Sequence, residues 1–281
     1  MTKVVSLINM KGGVGKSTLT VNLAWHFAAY NNWKKKVLVV DLDPQFNSSQ
    51  YLVGASKYNQ MLEDGKPTVW DIFEQHTRTP SNKQGKKIKS SEVIRPVVKY
   101  RSGGKVDLIP SRLELSLSLK SSSQRPNLLS KIINEVKDDY DLVLIDCAPT
   151  ESMLTTAAYI SSNHILVPVK PEYLSTIGLP LLKSSIDSFL DEYNDNQLDI
   201  LGLVFNATSE YAPEEDKSKK EVNELASKNN WVIFNSEIPY SRSYPKGARE
   251  GQPIFGTSYA RSAQCDNFRA FADEFGKRVG L

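Results

Sequence analysis

One short segment restricts the fold of this chain more than any other, because it joins a strand pattern to a helical pattern through glycines. The segment is residues 11–18, and it reads K-G-G-V-G-K-S-T. An apolar, β-branched run at residues 4–8 precedes it, and residues 17–30 follow with helical spacing. Such a loop turns successive backbone N–H groups toward one anion at the positive end of a helix. The segment therefore predicts a phosphate-binding loop.

The side chains of this loop have separate expected contacts with a nucleotide and a magnesium ion. Lys16 is expected to reach the β- and γ-phosphates, the Ser17 hydroxyl to ligate Mg²⁺, and Thr18 to lie near the α-phosphate. The usual pattern has a glycine where this chain has Met10, and a second lysine stands at Lys11. The predicted nucleotide-binding residues of the loop are Lys11, Gly12, Gly13, Val14, Gly15, Lys16, Ser17 and Thr18.

Further apolar runs predict the strands of an α/β fold. Runs without polar alternation are typical of parallel strands that are covered on both faces. The predicted strands are residues 4–8, 37–40, 142–145, 165–169 and 200–205, and the predicted helices are residues 17–30, 128–136, 179–193, 219–228 and 267–279. Strands that alternate with helices indicate a doubly wound, mainly parallel sheet flanked by helices. We expect one domain over residues 1–281.

Carboxylates end two of these predicted strands. Asp41 and Asp43 follow the second strand, and Asp146 follows the run at residues 142–145. Ligands of doubly wound folds bind outside the carboxyl ends of the strands. One carboxylate of the Asp41 and Asp43 pair can therefore face magnesium while the other orients water.

The segment at residues 57–105 differs from the rest in composition. It is rich in Lys, Ser, Gly and Pro around one apolar island at residues 69–73. We predict a surface elaboration with a mobile loop at residues 81–91. The last segment, residues 267–279, places apolar side chains on one helical face, which predicts a helix docked on the sheet; a membrane-surface helix is the alternative.

Composition excludes several classes of protein. The two cysteines, Cys147 and Cys265, are far apart and show no CxxC spacing, which argues against a disulfide framework and against a zinc site. Met1 leads almost at once into the first strand, and no apolar run approaches membrane-spanning length, so we expect a cytoplasmic protein. The formal charge of +3 permits contact with nucleic acid but does not by itself indicate it.

The loop with its additional lysine resembles the deviant Walker A motif of the ParA and MinD superfamily of ATPases. The resemblance implies that Lys11 reaches across a nucleotide-sandwich dimer to phosphates bound by the other subunit. Residues 39–45 look like the family's Walker A′ motif, which gives Asp43 the role of positioning the attacking water and Asp41 a supporting role in the metal-bound network. Asp146 matches Walker B and is expected to hold magnesium through water. The implied catalytic residues are Lys11, Lys16 and Asp43.

The resemblance covers nearly the whole chain and is closer to ParA than to MinD. It includes residues 68–73, 107–111, 238–239 and 251–254. In that family the ends of the later strands frame adenine, which implies Asn206 and Pro239, although Asn206 could instead cap a turn. Many members have a Glu-Ala-Pro run where this chain has Lys246-Gly247-Ala248, which leaves the adenine-side or dimer contacts made at that place open.

The resemblance implies a functional cycle in which the chain binds ATP with Mg²⁺, binds DNA and then hydrolyses the ATP. ATP would close a homodimer, the dimer would bind nonspecific DNA at the nucleoid, and hydrolysis stimulated by a ParB-like or other partner would release it. DNA binding requires basic residues on one face. The candidates are Arg242, Lys246, Arg249, Arg261, Arg269, Lys277 and Arg278. No recognition-helix domain can precede residue 4, so site-specific operator binding is not expected.

Three other function classes remain open at this level. A MinD-like membrane-positioning ATPase would need a basic, apolar tail free to insert. An iron–sulfur ATPase would need two cysteines per subunit at the dimer axis, and Cys265 lies far from the expected position. Small-molecule ligases of the same superfamily share the loop, but their substrate pockets leave no recognisable signature in this sequence.

Overall fold

The computed structural model describes residues 2–30, 32–74, 88–118, 126–209 and 213–281. The strands in these residues form one sheet in the order β3-β4-β2-β5-β1-β6-β7-β8, in which β3 is antiparallel to β4 and the other pairs are parallel. The strands are β1 (Lys3–Leu7), β2 (Lys36–Leu42), β3 (Arg95–Lys99), β4 (Lys105–Ile109), β5 (Leu142–Cys147), β6 (His164–Val169), β7 (Asp199–Thr208) and β8 (Ile238–Pro239). The predicted doubly wound, mainly parallel sheet is thereby confirmed.

Helices lie on both faces of this sheet. They are α1 (Lys16–Ala29), α2 (Asn47–Val53), α3 (Ala55–Glu63), α4 (Val69–Glu74), α5 (Ser90–Val93), α6 (Leu115–Ser118), α7 (Asn127–Val136), α8 (Met153–Ser161), α9 (Tyr173–Glu192), α10 (Pro213–Lys228), α11 (Ser243–Glu250) and α12 (Ser262–Val279). Because successive residues of a strand point to opposite faces, each strand contributes side chains to two hydrophobic cores, one on each face of the sheet. In β2, Val37 and Val39 pack in the core with α1 and α12, whereas Leu38 and Val40 pack in the core with α7 and α8.

The parallel register aligns the strand ends that carry the predicted site. Asp41 of β2 is the register partner of Asp146 of β5, and Leu7 of β1 also pairs with Asp146. These three strands are neighbours at the centre of the sheet. The loop after β1 and the carboxylates of β2 and β5 are therefore brought to one edge.

Two helices begin earlier than the sequence pattern predicts. Helix α9 starts at Tyr173 rather than residue 179, and it continues through Pro180 inside the helix. Helix α10 starts at Pro213 rather than residue 219, with three acidic residues in its first turn. A proline at the first position followed by acids is a helix start signal, because that position needs no N–H donor and the acids face the positive helix end.

The segment at residues 57–105 is joined to the main sheet in its described part. Val69 and Ile72 of α4 and Val93 of α5 are buried in the core, and β3 forms the edge of the sheet. Residues 81–87 of the predicted mobile loop lie outside the described residues. The end of that loop, at Ser90 and Ser91, instead begins α5.

The last helix docks on the sheet through its aromatic face. Phe268, Phe271, Phe275 and Val279 of α12 are each at most 1% exposed and pack in the same core as α1. Among the described residues there is no helix with the length and apolar character needed to cross a membrane.

Candidate functional site

The phosphate loop connects β1 to α1 through residues with left-handed backbone conformations. Gly13 has φ 76° and Gly15 has φ 91°, a region that glycine enters without steric cost. Gly15 also has no room for a side chain, because the Asn206 amide lies against it. Asn206 is buried and donates from Nδ2 to the carbonyl oxygen of Val14 at 2.8 Å. Asn206 therefore holds the loop in place from β7.

Lys16 is buried at the start of α1, and its ammonium group crosses the loop. Its Nζ donates to the carbonyl oxygens of Asn9 at 3.2 Å and Lys11 at 3.0 Å. Burial lowers the pKa of Lys16, and the charge of Asp146 opposes this effect. Ser17 and Thr18 follow on the first turn and line the adjacent pocket.

The carboxylates of Asp41 and Asp146 are completely buried side by side but have different partners. Asp41 Oδ2 accepts from the Ser49 backbone N–H at 2.7 Å and from its hydroxyl at 2.6 Å, and Oδ1 accepts from the Asp43 N–H at 3.2 Å. Asp146 Oδ2 accepts from the Ser48 hydroxyl at 2.7 Å, whereas its Oδ1 has no hydrogen-bond partner. Burial raises the pKa of both carboxyls. The charge of Asp146 raises the pKa of Asp41 further, whereas the nearby hydroxyls of Ser17 and Ser48 lower that of Asp146. Asp41 thus anchors α2, while Asp146 keeps one oxygen free.

A pocket of about 600 Å³ lies between the phosphate loop, α2 and α11. Asp43 lies in its wall and accepts from the Gln45 N–H at 2.9 Å. The pocket residues are Gly12, Gly13, Gly15, Lys16, Ser17, Thr18, Asp43, Gln45, Asn47, Gln50, Tyr51, Ala55, Pro149, Ala248 and Arg249. Sequence reasoning assigned no role to the α2 residues and assigned Arg249 of α11 to DNA, since only the packing of these helices brings them beside the loop.

The predicted site residues do not all face this pocket. Asp41 and Asp146 are completely buried, and neither they nor Asn206 and Pro239 are among the residues that line it. Pro239 ends the short strand β8 beside Thr208 of β7. The structure thus groups the loop with Asp43, whereas Asn206 contacts the loop at the Val14 carbonyl oxygen and Pro239 lies outside the lining of this pocket.

Lys11, the additional lysine, is paired within the chain. Its Nζ hydrogen bonds and forms an ion pair with Glu172, which also pairs with Lys170 at 2.8 Å. Hydrogen bonds from Lys11 and Lys170 lower the pKa of Glu172. In a single chain, Lys11 is therefore held at the β6–α9 connection.

Two side-chain oxygens near the pocket are suited to bind a magnesium ion. In the described residues no group of three or more His, Cys, Asp or Glu side chains could hold a metal by themselves. The free Oδ1 of buried Asp146 and the hydroxyl of Ser17 beside the pocket are oxygen donors, which magnesium prefers, together with phosphates and water. These residues fit an ion that is completed by a nucleotide.

The seven basic DNA-binding candidates separate into three places. Arg242 and Arg261 line one pocket with the exposed Tyr240 and Tyr259, and Lys246 Nζ lies 5.3 Å from the centre of the Tyr259 ring. We call these residues the Tyr259 cluster: Tyr240, Arg242, Lys246, Tyr259 and Arg261. Arg249 instead lines the nucleotide-sized pocket.

The remaining three candidates lie on α12. Arg278 stacks on Phe234 at 4.0 Å, pairs with Glu274 at 2.6 Å and donates to the carbonyl oxygen of Ile233 at 3.0 Å. Arg269 pairs with Asp266 at 2.6 Å and donates to the Tyr30 hydroxyl at 3.1 Å. Lys277 is exposed. The seven residues do not form one face, and Arg278 is engaged in fixing α12.

Comparison with known proteins identifies the family of this chain and several relatives. The chain matches the AAA domain family over residues 2–200. It is 29% identical over 274 residues to the chromosome-partitioning ATPase Soj of Treponema pallidum, which covers 96% of this chain and 94% of Soj.

Solved structures show the same fold at lower identity. A Cyanothece McdA variant in complex with ATP superimposes with a TM-score of 0.79 at 18% identity, covering 100% of this chain and 97% of that one. Cobyrinic acid a,c-diamide synthase from Mycobacterium smegmatis, with a bound ATP analog and magnesium, gives a TM-score of 0.71 at 20% identity and covers 97% and 93%. The chain belongs to the ParA and MinD family of nucleotide-hydrolysing ATPases.

Proposed function

We propose that this chain is a magnesium-dependent ATPase whose ATP-bound dimer binds DNA without sequence preference. The observation that carries the ATPase assignment is the pocket that joins the phosphate loop to Asp43, with Asp146 buried at the end of the neighbouring strand β5. Lys16 would leave its two carbonyl partners for the β- and γ-phosphates. Ser17 and the free oxygen of Asp146 would hold magnesium, which supplies charge neutralisation at the phosphates.

Asp43 is the residue proposed to orient the attacking water. It faces the pocket, while one of its oxygens is fixed by the Gln45 N–H. Asp41 would act indirectly, because both of its oxygens are used to hold the Asp43 backbone and the start of α2. A carboxylate held in this way can position a nucleophile without motion of its own backbone.

Dimer closure on ATP is supported by features beside Lys11. The α9 residues Tyr173, Ile177 and Leu181 are 69%, 51% and 59% exposed, at i, i+4, i+8 spacing on one helical face. Gly178 of the same helix lies against Lys11 and Asn9. Closure would bury this apolar face and transfer Lys11 from Glu172 to phosphates of the other subunit.

The Tyr259 cluster is the proposed DNA-binding surface. Arg242 and Arg261 have no carboxylate partner among the described residues, and Lys246 forms an ion pair with Glu250 at 3.2 Å. Arginines and lysines bind DNA phosphates, and exposed tyrosines can donate hydrogen bonds to them. A partner that stimulates hydrolysis, ParB-like or of another kind, would then release the DNA.

The test is binding to a random-sequence duplex with ATP, with ADP and without nucleotide, over a series of salt concentrations. We expect binding only with ATP, and affinity that falls steeply with salt because counterions are released from the DNA. The double substitution Arg242→Ala with Arg261→Ala should weaken binding and reduce the salt slope. Arg101→Ala, an exposed arginine in the turn between β3 and β4, is the matched control.

The outcomes separate the two parts of the proposal. Absence of DNA binding in every nucleotide state would reject the DNA function and leave the ATPase. Equal losses in the double variant and in the Arg101→Ala control would reject the Tyr259 cluster as the binding surface. In the first case, sedimentation with liposomes is the next measurement.

A further inference from the structure

Arg249 occupies a different place from the other basic candidates. It is exposed on α11 and lines the pocket opposite the phosphate loop, whose Gly12, Lys16 and Ser17 form the other wall. No carboxylate pairs with Arg249 among the described residues, whereas Lys246, one turn earlier on the same helix, pairs with Glu250. An arginine without a counter-charge therefore faces a pocket that is built to receive phosphates.

The position of α11 over the pocket is set by close packing at Gly247. A Cβ at this residue would lie 2.6 Å from the Gln252 carbonyl oxygen and 2.8 Å from the Tyr51 hydroxyl oxygen, closer than carbon atoms come to such groups. Any larger residue would push α11 away from α2. The glycine thus allows the helix to approach the pocket, and the next two residues, Ala248 and Arg249, reach its rim.

Hydrogen bonds of Asn22 tie the start of α1 to α2 and to the segment that follows α11. Asn22 of α1 donates to the Thr18 carbonyl oxygen at 2.8 Å and to the Tyr51 hydroxyl at 3.3 Å. Its Oδ1 accepts from the Ile254 N–H at 2.7 Å, just beyond α11. The two walls of the pocket are therefore held at a fixed separation through buried groups.

The charge of the pocket indicates which part of a ligand Arg249 would meet. The charged side chains of the lining are the guanidinium of Arg249, the ammonium of Lys16 and the carboxylate of Asp43. A guanidinium presents parallel N–H donors that match phosphate oxygens in a bidentate manner. The phosphates are the negatively charged groups of a nucleotide, and the adjoining loop residues bind the same groups.

We propose that Arg249 binds a phosphate group of the nucleotide held by the loop of its own chain. The inference rests on the proposed ATPase function and assigns Arg249 to the nucleotide site rather than to DNA. Helix α11 would then serve phosphate recognition in this chain, with Gly247 providing the close approach and Arg249 the charge.

The test is the affinity of the full chain for ADP, measured by calorimetry without DNA. ADP is used because dimer closure is expected with ATP, so the contact is measured within one chain. Arg249→Ala should weaken ADP binding about ten- to a hundredfold, which is the usual effect of losing hydrogen bonds to a charged group. It should also reduce the dependence of affinity on salt. Arg249→Lys should recover part of the loss, and Arg101→Ala should have no effect.

The results distinguish this inference from the proposed function. If the wild type binds ADP and Lys16→Ala does not, unchanged ADP affinity in Arg249→Ala overturns the contact alone. Equal loss in Arg249→Ala and Arg101→Ala overturns it as well, because the effect would then come from overall charge. A wild type that binds neither ATP nor ADP would overturn both the ATPase function and the Arg249 contact.

Discussion

At the scale of single residues, the three carboxylates of the site differ through their hydrogen-bond partners. Asp41 uses both oxygens within the protein, Asp146 keeps one oxygen without a partner, and Asp43 faces the pocket. The same side-chain type can therefore anchor a helix, support a metal ion or orient water. Substitutions at the three positions should have unlike effects on folding, metal dependence and turnover.

Asp43→Ala provides the residue-scale prediction. The variant should bind ATP with near-normal affinity, because the loop and Lys16 remain, while kcat falls about 10²- to 10⁴-fold from loss of the group that orients water. In the presence of ATP, the variant should then accumulate as a dimer that does not dissociate. Phosphate release and light scattering measure the two effects. Asp64→Ala, an exposed carboxylate at the end of α3, should change neither, and normal turnover in Asp43→Ala would remove the assigned role.

At the scale of elements, the aromatic face of α12 is a principal part of one core. Phe271 is completely buried and contacts Phe234, Phe268 and Phe275 at centroid distances of 5.4, 6.0 and 6.3 Å. Phe271→Ala should lower the free energy of unfolding by about 3 to 5 kcal/mol, because it removes apolar burial and leaves a cavity. Urea denaturation measures the change. Lys277→Ala on the exposed side of the same helix should shift it by less than about 0.5 kcal/mol, and similar values for both would contradict docking of α12.

The contact between α1 and α12 should also make stability depend on pH. Burial lowers the pKa of His26 to about 4, and the charge of Asp273, whose Oδ1 lies 3.4 Å from Nε2, opposes this effect. In the unfolded chain His26 titrates near its ordinary value, so between pH 6.5 and 4 the unfolded state binds more protons than the folded state. Stability is therefore present above about pH 6.5 and falls as the pH is lowered toward 4.

The size of this effect can be measured with a substitution. Between pH 7 and pH 5, His26 should account for a loss of about 1 to 2 kcal/mol in the free energy of unfolding. His26→Gln should remove that share of the loss, whatever its effect on stability at pH 7. Urea denaturation of both proteins at the two pH values is the measurement. An identical pH dependence in the two proteins would show that His26 does not contribute.

At the scale of the whole molecule, the pair of Lys11 and Glu172 competes with the proposed dimer. If Lys11 must leave Glu172 to reach the other subunit, Glu172→Gln should weaken the pairing within one chain and raise the dimer fraction at a fixed ATP concentration. Lys11→Ala should keep ATP binding but lose dimer formation. Analytical ultracentrifugation with ATP measures both. Glu224→Gln, an exposed residue of α10, is the control, and fewer dimers in Glu172→Gln would show that Glu172 supports closure instead.

The sequence alone determined the phosphate loop, five of the eight strands of the described sheet (β1, β2, β5, β6 and β7) and the carboxylates that end β2 and β5. These features depend on local patterns, since glycine conformation, apolar periodicity and chain order act over a few residues. The early starts of α9 and α10 are not marked by apolar periodicity: Pro180 stands at the second position of the predicted α9, a place typical of a helix start, and residues 214–218 of α10 are all polar.

Only the tertiary structure decided which distant residues meet. Tyr51 and Arg249 reach the pocket beside the phosphate loop because α2 and α11 pack closely at Gly247, and no local pattern records that contact. The same holds for the basic residues, which formed one group in the sequence. In the fold, Arg249 lines the pocket and Arg278 packs against Phe234 beside α12, whereas Arg242, Lys246 and Arg261 lie around Tyr259. Side-chain neighbours depend on how helices pack rather than on distance along the chain.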